Sequence, residues 1–189
     1  YEAGGHVGKI GTFVLIPEVV DAVAPIPVIA AGGIVDGRGV AAALALGAQG
    51  VWIGTAFLLS EESRLFDAHK RAIIAARTED FVVTRAYTGK TARDVRNVVI
   101  ERWERSGLAP LPMPLQGILF RDFLAAAERA GRYELINNPA GQCGGRLRAI
   151  RPAREIFETI VREAIDVLGR IPERVQYARK EPTRVEILR

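Results

Sequence analysis

Three short stretches combine residue types that could do chemistry. Gly32-Gly33 and Gly54-Thr55 each close a brief apolar run and precede a helical pattern. At such carboxyl ends of strands, backbone N–H groups can approach an anion with no Cβ in the way, and helix N-termini add partial positive charge. One loop of this kind reads as well as a tight turn. Two in succession favour a phosphate pocket, which closed α/β barrels build from the loops after their last two strands. The third stretch is Gly4-Gly5-His6-Val7-Gly8. A histidine flanked by glycines has little core to pack into and can act as acid or base near neutral pH; the alternative is a structural histidine bonded to backbone. His69 sits in a helical pattern beside Phe66 and Ile73 and is expected on the surface, partly exposed.

Other chemistries find less support. Gly37-Arg38-Gly39-Val40-Ala41-Ala42 satisfies a dinucleotide fingerprint. The strand after it, however, ends in Gly54-Thr55 rather than in the acidic residue that would hold a ribose hydroxyl. Asp36 also separates the glycines from the preceding strand, so Gly37 and Gly39 are expected to begin a helix. Cys143, between Gln142 and Gly144, could line a pocket, but it has no neighbouring histidine to make it a nucleophile. Two distant histidines and one cysteine make no zinc site, so no metal is expected.

The elements that must position these residues alternate. Pro27 to Ala31 reads as a strand buried on both faces, and Gly37 to Leu46 as a helix stopped by Gly47. Gly50 to Thr55 repeats the strand, and Glu61 to Ala76 the helix. Pro17 to Val23 is expected as an earlier helix with Pro17 in its first turn, and Phe81 to Ala86 as a further extended segment. This order implies a parallel α/β sheet. From Thr88 the texture changes to a small helical insertion, with helices over Ala92 to Ser106 and Arg121 to Ala130, then a loop from Tyr133 to Arg146. A last helix from Pro152 to Leu168 is expected to stop at Gly169 and cover the sheet. The expected division is residues 1–87 for sheet and helices with the phosphate loops, 88–148 for the insertion, 149–170 for the last helix, and 171–189 for a basic tail.

Composition sets the outer bounds. The 189 residues carry 26 Lys+Arg against 22 Asp+Glu, a net charge of +4. The basic stretch Arg170 to Arg189 is interleaved with Glu173, Glu181 and Glu186, so nucleic acid is not expected. A single cysteine suits a reducing compartment, with cytoplasm the default. No apolar run reaches the roughly 20 residues of a membrane span. The chain starts at Tyr1 without a methionine, and an amino-terminal part is expected to be missing.

In their order and spacing, Glu2 to Gly8, Pro27 to Gly39 and Gly54-Thr55-Ala56-Phe57-Leu58 resemble nitronate monooxygenase, formerly 2-nitropropane dioxygenase. Weaker similarity continues through Thr88 to Arg93, Leu111 to Gln116 and Ala140 to Gln142. The resemblance implies the carboxyl-terminal part of a TIM (β/α)8 barrel with a small inserted helical domain. It implies non-covalent FMN, with the phosphate on Gly32, Gly33 and the backbone of Trp52, Ile53, Gly54 and Thr55, and with Gly4 and Gly5 close to the flavin. Trp52 departs from the polar residue usual at its place, which leaves its backbone as the contact. His6 matches the family's catalytic histidine. The implied reaction takes alkyl nitronates or nitroalkanes and oxygen to a carbonyl compound and nitrite, and a homodimer is a candidate assembly. Relatives with these motifs include FMN-dependent enoyl-ACP and quinone reductases, so an NAD(P)H reductase is the alternative, as is an inactive flavin- or phosphate-binding fragment. Lys9, Arg85, Lys90 and Arg93 are expected near the mouth, where they could serve an anionic nitronate or a dinucleotide phosphate.

Overall fold

In a computed structural model, which describes residues 1–179, two small sheets are held together by helices. The parallel sheet pairs β2 (Ile29–Ala31) with β3 (Gly50–Trp52), joined by the crossover helix α2 (Gly37–Ala45). Asp36 caps α2 by accepting the Gly39 amide at 3.0 Å, so the glycines of the apparent dinucleotide fingerprint are helix-start residues. Gly47 ends the helix with φ +98°. Ile16, Ala30, Ile34, Ala43 and Ala48 form the apolar core beneath this sheet.

The antiparallel sheet runs β1-β5-β4, with β1 Gly5–His6, β4 Phe81–Thr84 and β5 Ala92–Val95. Phe81 to Thr84 is therefore a strand, but of a hairpin rather than of the parallel sheet. The helix expected from Ala92 is also corrected. Its first four residues pair with β4, and helix α5 (Val98–Ser106) starts only where the Asn97 side chain accepts the amides of Val99 and Ile100 at 3.1 and 3.0 Å.

Three other helix boundaries differ from expectation for identifiable reasons. Helix α1 spans Thr12–Val23 and contains Pro17 within it, because the Glu2 carboxylate takes the Thr12 amide at 2.8 Å and starts the helix earlier. The segment expected as one helix from Glu61 to Ala76 begins as a loop and becomes helical only in α4 (Asp67–Ala75), while a separate short helix, α3 (Thr55–Leu58), precedes it. Helix α6 (Leu115–Arg129) begins directly after Pro114, where the buried Gln116 accepts the Leu111 amide at 2.9 Å and donates to the Ala86 carbonyl at 2.6 Å.

The last helix, α7 (Ala153–Arg179), runs through Gly169 and Pro172 instead of stopping. A glycine that does not adopt a left-handed turn costs a helix only about 1 kcal/mol. Ile156, Ile160 and Ala164 of its stripe are buried, and Glu163 accepts the Gly37 amide at 3.0 Å, which seats α7 against α2. The first part of the expected basic tail is thus helical, and residues 180–189 lie outside the described residues. Among the described residues no helix is long and apolar enough to cross a membrane.

His69, expected on the surface, is buried, because α4 packs under the turn at Tyr133–Leu135 and Nε2 of His69 meets the Tyr133 carbonyl at 2.9 Å. Adjacent residues on β5 face opposite sides, so the buried Arg93 and Asp94 do not pair. Asp94 retains a buried carboxylate oxygen without a partner, and burial pushes its pKa up to about 6 despite the Asn138 amide. A carboxyl whose folded pKa is raised contributes its full stability below the unfolded pKa and loses it as pH climbs through the folded one. Asp94→Asn is therefore expected to stabilise the fold at pH 8 by about 3 kcal/mol, with the difference vanishing at about pH 3. Urea unfolding at the two pH values checks this, and an equal difference at both would show that the buried charge is not the cause.

Candidate active site

Between the two sheets lies a cleft of about 300 Å³. Its floor is made by the turns that follow β2 and β3. Gly32 and Gly33 adopt φ +99° and +74°, a region that side chains with a Cβ rarely enter. A Cβ on Gly33 would also lie 3.2 Å from Cβ of Glu2. Among the described residues, the amides of Gly33, Gly54 and Thr55 donate to no protein acceptor. Open space surrounds Gly54, where an added Cβ would meet nothing within 4 Å. This is a set of unspent donors around a vacant approach, the chemistry of an anion cradle.

The cleft brings together Gly4, Gly5, Gly32, Gly33, Trp52, Gly54 and Thr55. Trp52 places a largely exposed indole at the end of β3, 74% accessible. Ile53 turns away, packing with the apolar clusters around Ile16 and Ile156. His6 stands one residue beyond Gly5. It is exposed, and its Nε2 lies 3.0 Å from the Thr88 hydroxyl.

The cleft's fourth side comes from a segment far along the chain. Pro139 and Cys143 line it from the end of the insertion. The Gly141 amide donates to the Thr55 hydroxyl at 2.9 Å, and the Gln142 amide to the Glu2 carbonyl at 2.9 Å. Gly4 presses so closely on this loop that a Cβ there would sit 2.6 Å from the Ala140 carbonyl carbon. The sequence signals here are the expectation that Cys143 lines a pocket, which the structure meets, and the run of small residues from Pro139 to Gly141. Burial pushes the Cys143 thiol up to about 11, so it stays protonated and is no nucleophile at neutral pH. Glu2 moves the other way: burial opposes its charge, but the Thr12 hydroxyl and amide outweigh that and hold its carboxyl below the usual range.

The expected basic mouth needs correction as well. Arg93 is 2% exposed and spent internally, donating to the carbonyls of Phe81 at 2.6 Å and Tyr1 at 3.2 Å. Arg85 donates to the Gly89 carbonyl at 2.8 Å. Lys9, Arg85 and Lys90 remain exposed, so only Arg93 is withdrawn from the surface.

The sequence model of nitronate monooxygenase matches residues 1–163. This chain belongs to the nitronate monooxygenase family. A Staphylococcus aureus protein named as a probable nitronate monooxygenase is 41% identical over 178 residues, covering 88% of this chain and 49% of that protein. A Mycobacterium tuberculosis protein with a provisional monooxygenase name is 45% identical over 182 residues, covering 93% and 48%. Among solved structures, nitroalkane oxidase from Streptomyces ansochromogenes superposes with TM-score 0.78 at 34% identity, covering 89% of this chain and 50% of that one. FabK from Thermotoga maritima superposes with TM-score 0.77 at 37% identity, covering 91% and 54%. The chain thus spans about half the length of the relatives it matches. The strand-helix units around β2 and β3 are part of a TIM barrel, and the helical segment between β5 and α7 is inserted into it.

Nitronate monooxygenases are flavin oxidoreductases, with FMN the typical flavin. The glycine turns fit the phosphate end of such a group, with free amides and an open approach. Gly54→Asp tests this fit, because its side chain has room but sets a carboxylate among those amides. FMN affinity on reconstitution is expected to fall at least about tenfold, with the melting temperature within a few degrees of the parent. Undiminished FMN binding would remove this loop from the site.

Proposed function

We propose that this chain carries the flavin-phosphate loops and the base of an enzyme that oxidises alkyl nitronates with oxygen to a carbonyl compound and nitrite. The observation behind this reading is the adjacency of His6 to the cleft: Gly4 and Gly5 line it, and His6 follows on the same short strand. The amides of Gly33, Gly54 and Thr55 hold the FMN phosphate, and Gly4 and Gly5 let the flavin ring lie against backbone. FMN, when bound, would supply the redox chemistry between nitronate and oxygen.

The protein's own part is position and proton transfer. With a neutral nitroalkane, His6 takes the proton from the carbon bearing the nitro group. With a preformed nitronate there is no proton to remove, and His6 orients the anion instead. Family membership and the structural likeness to nitroalkane oxidase support the substrate class.

His6→Ala in the FMN-loaded protein is expected to keep its flavin and to lose about 100-fold or more in turnover of neutral nitroethane, with a smaller loss on ethylnitronate. Equal losses on both substrates would refute a base role. The oxidase reading is tested by mixing the FMN-loaded protein anaerobically with NADPH or NADH. The flavin absorbance is expected to persist, and rapid bleaching would make the protein a reductase.

A further inference from the structure

Which nitrogen of His6 carries the proton follows from the hydrogen bonds of Thr88. A threonine hydroxyl has one proton to give and two lone pairs to fill. The Thr88 hydroxyl donates to the Lys90 carbonyl at 3.0 Å and accepts the Lys90 amide at 3.3 Å. One lone pair remains, and the contact left for it is Nε2 of His6 at 3.0 Å. With the hydroxyl proton on the Lys90 carbonyl, the remaining lone pair faces Nε2 of His6, an arrangement that calls for the hydrogen on Nε2 and leaves Nδ1 with the free electron pair.

We propose that Thr88 is the positioning residue of His6, fixing its neutral imidazole as the Nε2–H tautomer so that Nδ1 is the nitrogen that receives the substrate's proton. The proposal rests on His6 being the base. In the transfer, the carbon–hydrogen bond breaks, its electron pair moves into the nitro group to give the nitronate, and the proton ends on Nδ1. Nε2 still donates to Thr88 afterwards, so the same hydrogen bond holds the ring in both protonation states. A neutral hydroxyl suits this task, because it orients the ring without adding a charge beside it.

Both partners are fixed by backbone. β1 pairs with β5, setting His6 opposite Ala92, and the Val7 amide donates to the Thr91 carbonyl at 3.1 Å. Thr88 sits in the turn of the β4–β5 hairpin, which is closed by the Gly89 amide on the Arg85 carbonyl at 2.9 Å. The bond thus joins two segments 82 residues apart in sequence.

Nitrogen-15 NMR of the histidine-labelled chain at about pH 8.5, above the usual histidine range, reads the tautomer directly. His69 is the only other histidine, and the signals that vanish in His6→Ala identify His6. The expected wild-type pattern is a pyridine-like Nδ1 and a pyrrole-like Nε2. A proton on Nδ1 in the wild type overturns the proposal without any Thr88 variant having to fold. Thr88→Val is expected to average the two nitrogens and to cut kcat on neutral nitroethane about tenfold with KM little changed, while Thr88→Ser restores both pattern and rate. A Thr88→Val spectrum identical to the wild type overturns it too. If His6→Ala keeps its turnover, the base reading fails, and the catalytic role given to Nδ1 fails with it, whatever the tautomer.

Discussion

The structure turns on Glu2. Its carboxylate accepts both the amide and the hydroxyl of Thr12, at 2.8 and 2.7 Å, and so fixes where α1 begins. Its Cβ covers the Gly33 turn, and its carbonyl accepts the Gln142 amide from the end of the insertion. One residue therefore joins the first helix, the anion cradle and the inserted segment. Gly4 and Gly5 lie in the cleft because Glu2 delivers the chain there, and His6 follows them onto β1.

The buried cationic and amide groups follow a related rule. Lys70 donates to the Ser60 carbonyl, Arg93 to Phe81, Gln116 to Ala86 and Asn138 to His69, each reaching a carbonyl outside its own element. In a low-dielectric interior such bonds hold loops where helices and strands do not reach. A net charge of +4 thus overstates what is free to meet an anion, because part of the positive charge is structural. At the cradle itself the donors are backbone amides.

What could be read from sequence was local. The two glycine turns, the helix start at Gly37 and the left-handed stop at Gly47 depend on a few neighbouring residues, and the structure shows them as expected. Gly169 has the same residue type but no left-handed turn, so its helix continues. Ala92–Val95 differs from the expected helix because Val95, Val98 and Val99 suit either structure, and only pairing with β4 decides between the two. His69 is buried against expectation for a similar reason: the surface that covers it comes from Tyr133, 64 residues away. For the loop from Pro139 to Cys143 the sequence suggests a pocket-lining Cys143 but not which pocket, since its place in the cleft is set by partners distant in the chain.

That distance has a consequence for how the protein is made. The bond from Gly141 to Thr55 spans 86 residues, so the cleft cannot close until the whole insertion has been synthesised and has folded back. Such closures carry a large entropic cost before any contact offsets it, and they form late. A ligand that binds only the closed cleft also favours the folded chain by mass action. During synthesis, the supply of FMN would then act as an assembly factor as well as a redox reagent.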